Sequence, residues 1–185
     1  MSEFHFHKLD LDGAYLIKPF KASDIRGNLI KDYSYCKFKS IGLDYKLKET
    51  FYTTSKKGVI RAIHFQKTKE QSKLVRCIRG KIFDIIVDLR AESKSLGKWI
   101  GNVLSDKNHN QIFVPKGFGH GYLVLEDAIV SYKCDEAFYN EYDDGIKWDD
   151  EDLGIEWPLT QIGSKPILSE KDRQLQSFSN FLKSF

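Results

Sequence analysis

Between Lys81 and Leu89 the chain alternates in steps of two. Phe83, Ile85, Val87 and Leu89 hold the odd positions, and Ile82, Asp84, Ile86 and Asp88 the even ones. Successive side chains of an extended strand point to opposite faces, so this spacing fits a sheet strand and not a helix, whose apolar positions recur about every 3.6 residues. Similar short runs cover residues 15–19, 59–66, 74–79, 99–104, 111–114, 121–125 and 129–133. Turn-forming groups separate them: Lys56-Lys57-Gly58, Arg79-Gly80-Lys81, Ser95-Leu96-Gly97 and Pro115-Lys116-Gly117. Many short strands at this spacing predict an all-β sandwich or barrel in place of alternating strands and helices. Helical pattern is confined to residues 35–41 and 177–185, and no repeat, low-complexity tract or linker divides the chain. The expectation is one domain over residues 1–185, of a length that supports one sizeable core.

Composition narrows the function classes. The chain is 41% hydrophobic and 30% charged, which places it among globular proteins and not disordered ones. Its net charge is +3, with no basic block or stripe, so nothing favours a nucleic-acid partner. Thirteen Phe, nine Tyr and three Trp suit half-buried sheet surfaces and walls that stack on flat ligands. Cys36, Cys77 and Cys134 form no close pair and predict buried free thiols in a reducing compartment. The first ten residues lack the apolar centre of a signal peptide, and no run is long enough for a membrane span, so the expected location is cytoplasmic.

Five histidines are present: His5, His7, His64, His109 and His120. His5 and His7 share a face of an N-terminal strand and read as solvated. His64 lies in the apolar stretch Gly58-Val59-Ile60-Arg61-Ala62-Ile63-His64-Phe65-Gln66, where regular alternation puts it beside Ile60, Ala62 and Gln66. On the residues alone it is either a hydrogen-bonded core histidine or an acid–base group. Small barrels that hold a metal commonly use two closely spaced histidines, a carboxylate and a later histidine. Here no second histidine follows His64 until His109, so even with Glu70 and His120 the set is incomplete, and no metal or other cofactor is expected.

The stretches GVIRAIHFQ (58–66), KLVRCIRGKIFDIIVDLR (73–90), PKGFGHGYLVL (115–125), YKC (132–134), GIKWDDEDLGIEWP (145–158) and PILSEKD (166–172) closely resemble the dTDP-4-dehydrorhamnose 3,5-epimerase family, in the family's order. The resemblance implies a cupin-like jelly-roll barrel with short flanking helices, usually a homodimer that exchanges N-terminal strands. It implies as substrate a nucleoside-diphosphate-linked 4-keto-6-deoxyhexose, whose C4 ketone acidifies the hydrogens at C3 and C5, and a role in deoxysugar and polysaccharide supply. It assigns His64 as the base, Asp172 as the carboxylate that orients it, Lys73 as the cation facing the enolate oxygen, and Tyr132 as the acid on the opposite ring face. If residues 58–66 and 73–79 form a hairpin, Lys73 falls near His64. Arg26, Arg61, His120 and Lys171 match ligand-contacting positions, and Glu49 stands where the family has a glutamine. Arg61 and His64 are three apart, which a regular strand would point to opposite faces; a bulge or a role across a dimer would reconcile them.

The sequence departs from the family around the nucleotide. Asn28-Leu29 replace an aromatic pair, Lys31 a glutamate, and Glu49 and Phe51 a glutamine and an asparagine. These changes exchange donors for acceptors, so dTDP is the first expectation, with CDP- and GDP-linked sugars as alternatives. The loop 139–145 is shorter than usual and Ala62 replaces a glycine, which leaves open whether C3 and C5 or only C3 is inverted. The competing readings are a metal-dependent cupin enzyme and a non-catalytic sugar-nucleotide binder.

Overall fold

Two long strands organise the molecule. The computed structural model describes residues 3–184. Its strands in chain order are β1 (His5–Lys8), β2 (Tyr15–Lys18), β3 (Phe20–Asp24), β4 (Gly27–Lys31), β5 (Glu49–Ser55), β6 (Ile60–Gln66), β7 (Lys73–Asp88), β8 (Trp99–Ser105), β9 (Gln111–Val114), β10 (Phe118–Cys134) and β11 (Asp143–Gly145). Three short helices accompany them: α1 (Tyr35–Lys39), α2 (Glu170–Arg173) and α3 (Phe178–Leu182).

β7 and β10 run antiparallel for nearly their whole length and belong to both walls of a barrel. The second half of β7 and the first half of β10 are flanked by β8 on one side and by β6 and β11 on the other. Their other halves are flanked by β9, β2 and β1 on one side and by β5 on the other. This all-β jelly roll agrees with the expected fold class.

The Arg79-Gly80-Lys81 turn predicted from sequence is a bend inside β7. Gly80 has φ +80°, and a Cβ there would stand 2.1 Å from the Asp127 carbonyl oxygen. Only glycine permits so close a crossing. The β7–β10 register slips around Val124, Glu126 and Ile129, so both strands bend together and pass from one wall to the other. Residues 121–125 and 129–133 are likewise one strand.

The barrel interior packs Val75, Cys77, Ile82, Ile86, Leu104, Ile112, Val124 and Val130. A second core lies outside β6 and β7, where Ile85, Val87, Leu123 and Ile63 meet Trp148, Trp157, Phe178 and Phe181. Both faces of β7 are therefore covered, and the even face carrying Asp84 and Asp88 is not a solvent face: both carboxylates are fully buried. A third cluster, around Ile17, Phe38, Tyr45, Leu74 and Phe113, seats α1 on the other wall. Cys77 and Cys134 are buried free thiols, whereas Cys36 on α1 is exposed, contrary to expectation.

The predicted β6–β7 hairpin does not form. β6 pairs with β10 and β11, and β10 stands between β6 and β7. β1 and β2 extend the chain's own sheet through β9. β3 and β4 form a separate two-stranded hairpin with Ile25 and Leu29 exposed. Among the described residues no helix is long and apolar enough to cross a membrane.

Candidate active site

One open end of the barrel holds a cleft of ≈ 310 Å³ in which His64, Lys73, Tyr132 and Asp172 meet, joined by Arg61, His120 and Lys171. His64 reaches it because of a bulge. His120 of β10 pairs with His64 and Tyr122 pairs with Arg61, so two residues of β6, Ala62 and Ile63, oppose the single Gly121. The extra residue reverses the alternation, and Arg61 and His64 line one cleft although they are three apart. Gly121 makes this possible: a Cβ there would lie 2.7 Å from Ala62 Cβ and 2.7 Å from the Arg61 carbonyl oxygen. Ile60, Ala62 and Ile63 turn instead into the outer core.

Asp172 comes from 108 residues downstream. The segment before α2 bridges in parallel to the start of β6, Val59 with Ile167, and Ile60 N donates to Ile167 O at 3.0 Å. That bridge sets α2 beside His64. Ser169 caps α2, its hydroxyl accepting from Asp172 N at 3.0 Å and donating to Asp172 Oδ2 at 2.7 Å. The other oxygen, Oδ1, lies 2.6 Å from His64 Nε2. Burial raises the Asp172 pKa, but hydrogen bonds from His64 and Ser169 outweigh it and hold the carboxyl below its ordinary range. An ionised carboxylate only accepts, so in the neutral imidazole His64 Nε2 carries the proton and Nδ1 the lone pair.

A second histidine–carboxylate pair sits deeper. His120 Nε2 lies 2.8 Å from Asp84 Oδ2, and both residues are buried. Burial pushes the Asp84 pKa up, tempered by His120 and by Lys73, and Asp84 Oδ1 has no hydrogen-bond partner. Burial lowers the Lys73 pKa, opposed by Cys134, Asp143 and Asp84. Lys73 therefore reaches the cleft from β7 across β10, and not through a hairpin.

Tyr132 is buried, and Phe51 stacks on its ring at 4.7 Å and 12°. Burial, then Tyr122 and Asp84, raise its pKa well above the usual phenol value, while Arg61 opposes them. A group so placed stays protonated at neutral pH and is suited to donate.

At the rim, Lys171 pairs with Asp143, and Arg61 Nε donates to Ser55 Oγ at 3.2 Å. Glu49 lies outside the cleft lining, its carboxylate accepting from Phe138 N at 2.7 Å. Arg26 is not brought to the cleft of its own chain; it sits at the tip of the exposed β3–β4 hairpin, paired with Asp24 at 2.6 Å. His5 and His7 are exposed on β1. Among the described residues no group of three or more His, Cys, Asp or Glu is arranged to hold a metal ion. Sequence reasoning missed Asp84, Ser169, Tyr122 and Asp143, and placed Phe51 on the nucleotide side without its stacking on Tyr132. The signal for Asp84 was a carboxylate with apolar neighbours on both sides of its strand.

Known proteins match this chain along most of its length. A family model described as dTDP-4-dehydrorhamnose 3,5-epimerase matches residues 8–180. A protein of that name from Methanothermobacter thermautotrophicus is 48% identical over 174 residues, covering 94% of each chain. Among solved structures, dTDP-4-dehydrorhamnose 3,5-epimerase from Bacillus anthracis, with TDP and PPi bound, superposes with a TM-score of 0.90 at 37% identity, over 95% of this chain and 100% of that one. The dTDP-6-deoxy-D-glucose-3,5-epimerase of Legionella pneumophila, in complex with dTDP-4-keto-L-rhamnose, gives 0.91 at 31%, over 96% of this chain and 94% of that one. Matching nearly end to end in both sequence and fold, the chain belongs to the dTDP-4-dehydrorhamnose 3,5-epimerase family.

Proposed function

We propose that the cleft inverts C3 and then C5 of a dTDP-linked 4-keto-6-deoxyhexose by paired proton transfers from opposite faces of the ring. The observation that carries the reading is the Ser169–Asp172–His64 chain, ending in a free Nδ1, in the same cleft as the buried Tyr132. His64 removes the proton beside the ketone, and Asp172 stabilises the imidazolium that results. Lys73 stabilises the negative oxygen of the enolate, with His120 on its Asp84 support nearby. Tyr132 returns a proton from the other face, and each such acid–base step is typically worth ~10²–10⁴-fold in rate.

Arg61 and Lys171 stand at the rim as cations for the diphosphate. Arg26 joins them in a homodimer in which the β3–β4 hairpin, with its exposed Ile25 and Leu29, reaches the neighbouring copy's cleft. Phe51 lines the cleft, and Glu49, whose carboxylate accepts hydrogen bonds, lies just outside it, both at positions where the sequence departs from the family, so CDP- and GDP-linked sugars are tested beside dTDP. The whole described chain serves as one catalytic domain of cytoplasmic deoxysugar supply, with neither membrane nor nucleic acid as partner.

The test is incubation in deuterated water with dTDP-, CDP- and GDP-linked 4-keto-6-deoxyglucose. Deuterium at C3 and C5 of one of them is expected, and deuterium at C3 alone assigns the single inversion. No exchange with any of the three refutes the reading.

A further inference from the structure

A phenolic O–H lies close to the plane of its ring, so the plane of the Tyr132 ring sets where its proton points. The χ2 torsion that turns this plane is intrinsically broad, and neighbours must fix it. Two rings meet Tyr132. Phe51 is its direct partner across β5 and β10, and side chains so opposed share a face of the sheet with Cβ atoms about 4.5–5.5 Å apart. The two rings stack with centroids 4.7 Å apart and planes 12° from parallel, an offset arrangement that aromatic pairs favour. His120, held by Asp84 at 2.8 Å, meets the Tyr132 ring at 5.9 Å and 80°. His120 thus approaches nearly at right angles, whereas Phe51 lies flat against the phenol. Burial divides the stacked pair unevenly: Tyr132 is 7% exposed and Phe51 40%, although both line the cleft. Phe51 stands on an edge strand and belongs to none of the three core clusters. A half-exposed phenylalanine that adds nothing to the core carries a solvation cost that a polar residue would avoid, unless its ring has a task.

We propose that Phe51 is a positioning residue of the far-face acid: stacked on Tyr132, it fixes the plane of the phenol and aims the O–H at the sugar carbon. This role rests on the epimerase reading above and deepens it. What it governs is the choice of face. The substrate C–H bond breaks, its proton goes to His64 Nδ1, and its electron pair enters the enolate. Two outcomes then compete. In the first, the Tyr132 O–H bond breaks as a new C–H bond forms on the far face, and the centre is inverted. The phenolate then takes a proton from solvent and His64 releases one to it, so charge and proton count are restored with no redox change. In the second, His64 returns a proton to the near face, and the centre regains its original configuration. Bond formation needs reacting atoms close and aligned, so an aimed phenol favours inversion. A phenol that turns about χ2 loses ground to His64, whose own aim is kept by Asp172 at 2.6 Å. In this role Phe51 acts through Tyr132.

Phe51→Leu and Phe51→Met keep an apolar side chain and remove the flat ring, while Phe51→Tyr keeps the ring. The exposed edge-strand position puts folding at little risk, and circular dichroism checks it. The measurement is proton NMR at early times in deuterated water, with whichever of the dTDP-, CDP- and GDP-linked 4-keto-6-deoxyglucoses the parent exchanges. It reads total deuterium at C3 and the share of labelled molecules that are inverted there. In the parent, label and inversion are expected together. In Phe51→Leu and Phe51→Met total exchange should stay within about threefold of the parent, since that step belongs to His64. The inverted share should fall about tenfold, part of the ~10²–10⁴-fold that a positioned acid is worth, so that labelled but uninverted sugar accumulates. Phe51→Tyr should match the parent. Exchange and inversion slowed by the same factor would make Phe51 a general support of the cleft and overturn the positioning role, as would a Phe51→Tyr variant impaired like Phe51→Leu. A parent that exchanges no deuterium would overturn the epimerase reading and this role together. Parent exchange with inversion, matched by an unchanged inverted share in Phe51→Leu and Phe51→Met, would overturn this role alone.

Discussion

Replacing Asp172 by asparagine tests the base most directly, because it keeps the shape of the site and changes its charge. In the parent, Oδ1 accepts a hydrogen bond from His64 Nε2 at 2.6 Å while Oδ2 accepts one from Ser169 Oγ at 2.7 Å. A charge-assisted hydrogen bond contributes about 1.5–3 kcal/mol against about 0.5–1.5 for a neutral one, so the change in that bond alone removes about 1–2 kcal/mol. At about 1.4 kcal/mol per decade this is a loss of about 5- to 30-fold. Two further effects add to it. The imidazolium formed on proton abstraction loses its counter-ion, and the asparagine NH₂ can face Nε2, which stabilises the tautomer whose lone pair points away from the cleft. The combined expectation is a fall of ~10²–10⁴-fold in deuterium exchange at C3, with ligand affinity close to the parent's. Ser169→Ala should lose less, since the carboxylate keeps its charge and gives up one support and a helix cap worth ~1 kcal/mol. The assay is proton NMR of the sugar in deuterated buffer at neutral pH, with circular dichroism to establish the fold. Exchange by Asp172→Asn within about threefold of the parent, roughly 0.6 kcal/mol, would refute the assignment of His64 as a carboxylate-supported base.

The same pair predicts a pH signature in stability. The Asp172 carboxyl titrates below its ordinary range in the folded chain, so its contribution is complete above the unfolded value of about 4 and disappears as pH falls through the depressed one; the stability gap between parent and Asp172→Asn should therefore be constant near neutrality and close on acidification. Asp88 offers a larger case: burial opposes its ionisation, but Arg90, Ser93 and Ser95 hold its pKa down at about 2. Asp88→Asn should cost ~2 kcal/mol at neutral pH, with the difference vanishing between about pH 4 and 2 in denaturant titrations, and a pH-independent gap would refute the network's role. Gly121→Ala should cost ~1–3 kcal/mol by overpacking the bulge and lower exchange further by disturbing both Arg61 and His64. A variant with parental stability and activity would show that the bulge tolerates a side chain.

Alternation and turn residues were enough to read an all-β barrel, and the blocks around His64, Lys73, Tyr132 and Asp172 were enough to read the family. Long-range pairing was not legible. Gly80 signals a break in the alternation equally well whether the chain reverses or only bends; the Asp127 carbonyl that makes it a bend lies 47 residues away. Lys73 was placed near His64 by the wrong route, because the six-residue connection 67–72 suggests a hairpin while β10 pairs with both strands. Asp84 reads as the polar side of an amphipathic strand until the outer core is seen to cover the opposite face. α2 has four residues, too short for a periodic signal, and only its cap Ser169 and the bridge at Ile167 reveal why it stands where it does. The Arg61–His64 conflict was the most informative sequence observation, since one of the two resolutions it demanded, a bulge, is present opposite Gly121.

In the proposed reaction, acid and base are separated by depth in the cleft, and not by residue type alone. The His64 side chain keeps about a quarter of its surface accessible, at 26%, and its partner Asp172 is held ionised by hydrogen bonds. Tyr132 lies deeper, where burial penalises the phenolate and keeps the proton available. Between them, burial pushes Lys73 toward its neutral form and Asp84 toward its protonated one, and each opposes the other's shift. Such a pair is poised for negative charge to arrive nearby. In the proposed reaction the enolate oxygen would favour the charged form of Lys73, so its ammonium would stabilise the intermediate more strongly than the neutral ketone. That difference between ground state and intermediate is what accelerates a reaction, and the burial that lowers the Lys73 pKa would enlarge it.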